Sequence, residues 1–313
     1  SSAQLGKGQY LIAEADESDQ SFLLLQPSIS VITNIEPDHL INYDNDFENL
    51  KSAFLDFIKK LPFNGVSIVC GDDEVINELK TSFQRSHISY GFNETNDYVL
   101  SDYKSKGKKS SFKITSDSLS IELTLNMLGK HNALNAAAAV VLCLQEEIPL
   151  EVIKESLNNF MGINRRMQIL GEQKSENSSW IYIDDYGHHP TEIKKTIEAV
   201  RDSYPSHRLN MIFQPHRFTR TKDLFDEFIA VLKGVDDLIL LEIYSAGEQS
   251  IKDVDSLHIK QALLESGFSN VTLLENSQHT LEKIKNSRDI NTVFIFQGAG
   301  DISSISKQIV NDL

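Results

Sequence analysis

The sequence predicts an α/β protein, with short strands and intervening helices in its first half and an open, mostly parallel, doubly wound sheet in its second. Three observations lead there. Apolar runs at Trp180 to Asp185, Leu209 to Gln214, Asp237 to Ile243, Val271 to Leu274 and Val293 to Gln297 have the composition of strands buried on both faces. Helical periodicities fall between them, at Ile193, Ile197 and Val200 and again at Leu224, Phe225, Phe228, Ile229 and Leu232. The alternation repeats at roughly 25 to 35 residues per β-α unit, the spacing of a parallel sheet with crossover helices.

The first half is read element by element. Gln9 to Glu14 and Ile29 to Ile35 are β-rich apolar runs that end in polar clusters. Phe47, Leu50, Phe54, Phe57 and Ile58 recur at helical spacing before a turn at Pro62-Phe63-Asn64-Gly65. Strands follow at Ser67 to Cys70 and Ile88 to Phe92, then around Phe112 to Thr115 and Leu119 to Leu125, with Lys104 to Ser111 as a solvated hairpin loop. The Ala-rich stretch Asn132 to Leu144 is helical, and a second helix runs from Leu150 to Phe160.

A chain of 313 residues is long enough for two domains, each with its own core. The boundary is expected near Gly162 to Gln173. With 40% hydrophobic and 24% charged residues the composition is that of an ordinary globular protein. Thirty Lys plus Arg against 45 Asp plus Glu leave a formal charge of −15, which argues against general binding to nucleic acid or to anionic membranes. Cys70 and Cys143 sit in apolar runs and read as buried free thiols, as suits a reducing cytoplasmic location. Neither a signal peptide nor an apolar stretch of about 20 residues, the length needed to span a bilayer, is visible.

Several polar constellations could carry chemistry. Glu14, Asp16, Glu17 and Asp19 follow the first predicted strand, where carboxylates could hold Mg²⁺ or simply form a solvated acidic turn. The second strand runs into Glu36-Pro37-Asp38-His39, and an Asp-His pair there could complete a metal site. Asn132 and Asn135 stand one helical turn apart, suited to reading a purine edge or, more blandly, to capping. Arg165-Arg166 at the predicted boundary could place one guanidinium on a phosphate while the other pairs structurally.

The densest signal is Asp184-Asp185-Tyr186-Gly187-His188-His189-Pro190-Thr191-Glu192, between a buried strand and a helix whose first position suits Pro190. A polar loop at a helix N-terminus favours an anionic ligand. Phe213-Gln214-Pro215-His216-Arg217-Phe218-Thr219-Arg220-Thr221 ends the following strand, and Arg217 with Arg220 could clamp a carboxylate bidentately. Adjacent parallel strands would set this loop beside His188 and His189. Zinc is disfavoured, because no Cys and no i,i+4 His pair accompanies these histidines. Gln297-Gly298-Ala299-Gly300-Asp301 lacks the third glycine of a dinucleotide fingerprint and reads as close helix–strand packing.

Taken together these motifs resemble the Mur ligase family, over nearly the whole chain and most specifically in the Asp184-to-Glu192 and Phe213-to-Thr221 loops. Within the family the second loop is similar to the branch that joins L-alanine to UDP-N-acetylmuramate rather than to the branch that recycles murein peptides. The resemblance implies a partial central ATP-binding domain with a mostly parallel sheet over residues 1–165 and a doubly wound, Rossmann-like C-terminal domain over 166–313. It implies ATP and Mg²⁺ as cofactors, with Glu14 (Glu17 the fallback) and His39 as metal ligands. Asn132, Asn135 and Arg166 match nucleotide-contacting positions, and Asp185 and Tyr186 the part of the C-terminal domain that closes over ATP. Tyr186, His188, His216, Arg217 and Arg220 match positions that read the incoming amino acid, with His188, Arg217 and Arg220 nearest the chemistry. The implied reaction forms an acyl phosphate that the alanine amine attacks, in peptidoglycan precursor synthesis, with a homodimer left open.

Two departures from the family pattern stand out. Ile41 occupies a position usually held by Asp two residues after the histidine, a contact that Asp44 could replace. The family also carries a UDP-binding domain and a Gly-Lys-Thr phosphate loop ahead of this region, and neither is in these residues. The expectation is a chain that begins just after that loop, inactive by itself, with an uncovered sheet edge and disorder near residues 1–10. The alternatives are the peptide-recycling branch, a non-catalytic nucleotide- or amino-acid-binding module, and a zinc hydrolase.

Overall fold

The computed structural model describes residues 5–176, 178–274, 277–286 and 290–312. The chain divides into two compact units that interleave in sequence. One comprises Ser1–Ser101, Ile114–Ile121 and Leu134–Pro149, and the other Asp102–Lys113, Glu122–Ala133 and Leu150–Leu313.

The elements of the first half are β1 (Ile29–Ile32), α1 (Phe47–Lys59), β2 (Val66–Cys70), α2 (Glu74–Leu79), β3 (Ser86–Gly91), β4 (Tyr98–Lys106), β5 (Lys109–Thr115), β6 (Ser120–Leu125), α3 (Lys130–Gln145) and α4 (Leu150–Asn159). Strands β1 to β6 form a six-stranded sheet in sequential order, with parallel pairing from β1 through β4. Helix α1 begins where the Asp46 carboxylate accepts the Glu48 N–H, and it buries Leu50, Ala53, Phe57 and Ile58 as its periodicity requires.

Three expectations for this half need correction. Residues 9–14 form no strand, and Leu11 and Ile12 are 92% and 91% exposed. Their β-prone composition is real, but a strand exists only with a ladder partner, and no described strand pairs with this run. Strand β1 stops at Ile32, so the Glu36-to-His39 motif starts a few residues beyond the sheet. The Lys104-to-Ser111 stretch is mostly strand, because β4 and β5 extend to a two-residue turn at Gly107-Lys108, where Gly107 takes a φ of 59°. Of the N-terminal region expected to be disordered, residues 1–4 lie outside the described part, and 5–10 are exposed and irregular.

The second half contains β7 (Gln168–Lys174), β8 (Ser179–Asp185), α5 (Pro190–Ser203), β9 (Arg208–Phe213), α6 (Phe218–Asp223), α7 (Phe225–Leu232), β10 (Asp237–Leu240), α8 (Ser256–Glu265), β11 (Val271–Leu273), α9 (Ser277–Asn286), β12 (Thr292–Gln297) and α10 (Ile302–Asp312). The sheet order is β11-β10-β9-β12-β8-β7, parallel except for β7, which runs antiparallel to β8 along one edge. Strand β7 falls in the stretch expected to be the domain boundary. Its mixed Gln168-Ile169-Leu170-Gly171-Glu172-Gln173-Lys174 sequence suits a half-covered edge and hides it from a search for fully apolar runs.

Helices cover both faces, as a doubly wound sheet requires. Ile193 and Ile197 of α5, Phe228 and Leu232 of α7, and Ile259 and Leu263 of α8 share one core with Leu209, Met211, Ile183 and Ile295. Ile284 of α9 and Ile302 and Ile309 of α10 pack on the other face against Tyr182, Ile212, Phe294 and Phe296. No helix of the described residues is long and apolar enough to cross a membrane. Cys70 is buried and Cys143 half-buried, both as free thiols.

Candidate functional site at the carboxyl ends of the second sheet

Register places Asp185 of β8, Gln297 of β12 and Phe213 of β9 in one row across the sheet. The loops that follow therefore leave the sheet at one level, on the edge where open α/β sheets bind ligands. Strands β8 and β9 are not neighbours, contrary to the expectation from sequence, because β12 lies between them. The His188 and His216 rings nevertheless approach to 5.5 Å between centroids.

The Gly298-Ala299-Gly300 turn after β12 leaves room for that approach. Gly298 has a φ of 143°, and a Cβ there would sit 2.6 Å from the Gln214 carbonyl oxygen. A Cβ on Gly300 would come within 2.8 Å of the Tyr244 Cβ and press into the Gln214 side chain. The glycines serve close packing, as their spacing suggested.

The loop after β8 is built around a buried carboxylate. Asp185 accepts hydrogen bonds from the Gln297 amide (2.7 Å), the Gly187 N–H (3.0 Å), the Thr196 hydroxyl (3.1 Å) and the Met167 N–H (2.9 Å). Asp185, expected to contact nucleotide, also braces the loop, since its oxygens face four protein donors. Asp184 is fully buried and accepts from the Ser303 hydroxyl at 2.8 Å, and burial pushes its carboxyl above the usual range.

Glu192 completes a capping box. Its carboxylate accepts the His188 N–H (2.9 Å) and the His189 N–H (3.1 Å), while His189 caps α5 and Pro190 fills its first turn. The His188 Nδ1 lies 3.2 Å from the Tyr186 carbonyl oxygen, which can only accept. That contact places the proton of the neutral ring on Nδ1 and the lone pair on Nε2.

The Tyr186 ring meets two cations, with the Arg165 guanidinium 4.8 Å and the Arg166 guanidinium 5.4 Å from its centre. Their roles divide. Arg165 donates to the carbonyl oxygens of Gly298 (2.6 Å) and Gly300 (3.3 Å), which ties the loops together. The Arg166 side chain is half exposed and pairs with Glu192 at 3.3 Å, an arrangement that leaves it accessible to an anion.

The loop after β9 is held by the segment after β10. The Arg217 N–H donates to the Tyr244 carbonyl (2.8 Å), the Tyr244 N–H donates to the Pro215 carbonyl (2.8 Å), and His216 stacks on Tyr244 at 5.5 Å and 11°. Arg220 Nη1 donates to His216 Nδ1 in a long 3.4 Å bond, so the His216 ring carries its own proton on Nε2. Burial, with the neighbouring His188, Arg220 and Arg217, lowers the His216 pKa to about 4. The Arg217 side chain is half exposed and 3.5 Å from Glu248.

The other unit carries the two metal-ligand candidates. Glu14 is exposed and lies just ahead of an acidic loop. That loop is anchored by Phe22, which is 2% exposed and packs on Phe54 and Phe57 of α1. His39 begins the short helical turn Leu40–Tyr43 in left-handed conformation, φ 54°, beside Asp38. The two segments are joined directly: Tyr43 Oη donates to the Glu17 carbonyl, the Asn42 amide to the Ser18 carbonyl (2.6 Å), and Gln20 to the Asn42 carbonyl. Burial and the carboxylates of Glu17, Asp19 and Asp16 raise the Tyr43 phenol to about 12.

Among the described residues no group of three or more His, Cys, Asp or Glu is arranged to hold a metal by itself. Ile41 is 78% exposed. Asn132 is buried with its amide on the Leu128 carbonyl at 2.7 Å, a role internal to the helix start, whereas Asn135 is exposed. Of the predicted nucleotide pair, Asn135 is the one whose side chain faces solvent.

Tyr244 and Glu248 were not singled out from sequence, and Gln214 and Gln297 entered only as members of longer motifs. Tyr244-Ser245-Ala246-Gly247-Glu248 follows a strand end like the other loops, and that position was the one available signal.

A buried braced loop, a pair of half-exposed arginines and a set of contacting aromatic rings converge at one sheet edge. The chain matches the Mur ligase middle domain over residues 2–143 and the Mur ligase glutamate ligase domain over residues 165–300. It belongs to the Mur ligase family. Its fold is similar to that of the UDP-N-acetylmuramate-alanine ligase MurC from Thermotoga maritima, with 27% identity, a TM-score of 0.76, and coverage of 95% of this chain and 62% of that one. MurF from Acinetobacter baumannii (19%, TM-score 0.71, 95% and 61% covered) and a murein peptide ligase from Psychrobacter arcticus (17%, 0.59, 93% and 58%) share the fold. The chain thus spans less than two thirds of the length of each of these proteins.

Proposed function

We propose that this chain provides the central and C-terminal domains, residues 1–165 and 166–313, of an ATP-dependent amide ligase that joins L-alanine to UDP-N-acetylmuramate. The observation that carries the reading is the convergence of His188, His216, Arg217 and Arg220 at one strand-end edge. Similarity to the alanine ligase at 27% identity supports the choice of amino acid.

The geometry suits the acceptor half of the reaction. Arg217 and Arg220, each partly exposed, offer guanidinium forks to the amino-acid carboxylate. Holding that carboxylate positions the amine to attack the carbonyl of an acyl phosphate, so that the C–N bond forms as the acyl C–O bond breaks and inorganic phosphate leaves, and positioning is most of the catalytic task in such a transfer. The His188 ring, with its Nε2 lone pair, is suited to receive a proton as the amine attacks. His216, kept neutral, adds an N–H donor without repelling the arginines. Arg166 and Asn135 are suited to contact the nucleotide.

The exposed Glu14 carboxylate lies just ahead of the loop that is hydrogen-bonded to the turn His39 begins, and a carboxylate and an imidazole suit a hard divalent cation that also takes phosphate oxygens. Glu14 and His39 would hold magnesium, which when bound offsets the charge of the phosphoryl group.

The test is amino-acid-dependent ADP release by the full gene product with UDP-N-acetylmuramate and a panel of amino acids and dipeptides. Release with L-alanine supports the reading. Release only with a peptide substrate would move the chain to another branch of the family, and tight binding of ATP without turnover would make it a binding module.

A further inference from the structure

We infer that Glu248 is a positioning residue for acceptor recognition: it anchors the Arg217–Arg220 loop so that Arg217 is held ready for a carboxylate. The role of Arg217 rests on the function proposed above, but the anchoring stands on geometry alone.

Arg217 adopts φ 72°, ψ 137°, a backbone conformation that a side chain bearing a Cβ rarely takes. Such a residue persists only where its surroundings over-determine it. On the chain side, its carbonyl accepts from the Thr221 hydroxyl at 2.8 Å and its N–H donates to the Tyr244 carbonyl at 2.8 Å. On the side-chain side the restraint is Glu248. One carboxylate oxygen accepts the Thr219 N–H at 3.0 Å, and the other accepts the Thr219 hydroxyl at 2.7 Å and lies 3.5 Å from Arg217 Nη1. A single carboxylate thus grips the backbone two residues beyond Arg217 and the guanidinium itself.

The side chain of Glu248 is 19% exposed and that of Arg217 49%. The anchor is therefore sheltered while the cation faces outward, the arrangement expected of a support under a binding group. Burial opposes the charge on Glu248, but the Thr219 N–H and hydroxyl, the Phe218 N–H and Arg217 outweigh it and hold the carboxyl below its usual range. The turn that delivers Glu248 contains Ala246 and Gly247, both at positive φ, and also supplies the ring stacked on His216. One segment after β10 therefore sets both His216 and Arg217, although it bears no residue predicted to touch a ligand.

The experiment pairs kinetics with a readout independent of activity, using Glu248→Ala and Glu248→Gln in the full gene product. Glu248→Ala is expected to raise the KM for the amino acid roughly tenfold or more while kcat and the KM for ATP stay within about twofold. Glu248→Gln, which keeps an acceptor for Thr219, falls between, and it carries the test should the alanine variant not fold. An unchanged KM for the amino acid, or an equal loss in every parameter, overturns the inference. In NMR spectra the Arg217 Nε–H and Thr219 amide signals should shift and broaden in both variants, and unchanged signals overturn it as well. Wild-type protein with no amino-acid-dependent turnover would instead sink the proposed function, and the NMR comparison would still decide the anchoring.

Discussion

The His188 and His216 rings stand 5.5 Å apart, although the strands that lead to them are separated by the full width of β12. Neighbouring strands lie about 4.8 Å apart, so the two loops cross roughly 10 Å of sheet to meet. They meet over Gly298-Ala299-Gly300, a turn with almost no side chain to keep them apart. The site depends on what β12 lacks as much as on what β8 and β9 carry.

The first prediction follows from that crossing. Gly300→Ala places a methyl group against Tyr244 and Gln214, whose amide donates to Asp301 at 2.6 Å and whose carbonyl accepts the Ile302 N–H. Overpacking of this kind costs about 1–3 kcal/mol. A lower urea midpoint with an unchanged slope is expected, together with altered His188 and His216 ring resonances. A wild-type midpoint would show that the turn has slack.

Asp185 is the second. Asp185→Asn turns one acceptor oxygen into a donor that must face the Gln297 amide, the Thr196 hydroxyl or a backbone N–H. Leaving a buried donor unsatisfied in such a network costs about 1–3 kcal/mol, and the loop from Tyr186 to His189 should loosen with it. Equilibrium unfolding measures the cost, and amide hydrogen exchange at Gly187 reports the loosening.

The His216 titration supplies a pH test. With its pKa lowered from 6.5 to about 4, the folded ring stays neutral where the unfolded ring takes a proton. The unfolded state binds more protons across that window, so stability rises with pH from about 4 to 6.5 and its contribution is lost as pH falls through it. The ring is partly exposed, which moderates the size of the effect. An NMR midpoint near 6.5 would contradict the enclosure of His216 by His188, Arg220 and Tyr244.

Arg220 tests the carboxylate clamp. Arg220→Lys keeps the charge but removes the planar fork, and an expected ten- to hundredfold rise in the KM for the amino acid corresponds to about 1.4–2.7 kcal/mol of lost binding. The His216 pKa should move too, since the guanidinium donates to that ring. A KM within twofold of wild type would remove Arg220 from the acceptor site.

Much of the fold was legible from local pattern. The strands at Trp180 to Asp185, Leu209 to Gln214 and Val293 to Gln297 are apolar because they are buried on both faces, and that burial leaves a continuous mark in the chain. Helix α5 announced its start through Pro190, whose fixed φ suits a first helical position, whereas the His189 and Glu192 capping box appeared only in the structure. The half-covered edge strand β7 left no such mark. Leu11 and Ile12 carried a strand's composition without a partner to pair with, because pairing belongs to the sheet and not to the segment.

The sequence by itself determined the class of both sheets, the family, and the two loops that hold the arginines and histidines, because those depend on residue type and short-range spacing. Only the tertiary structure decided that β12 separates those loops and its glycines let them touch, that Asp185 turns inward as a brace, and that Glu248 lies under Arg217. Each of these is a contact between residues tens of positions apart in sequence, and a linear pattern holds no record of which distant atoms will meet.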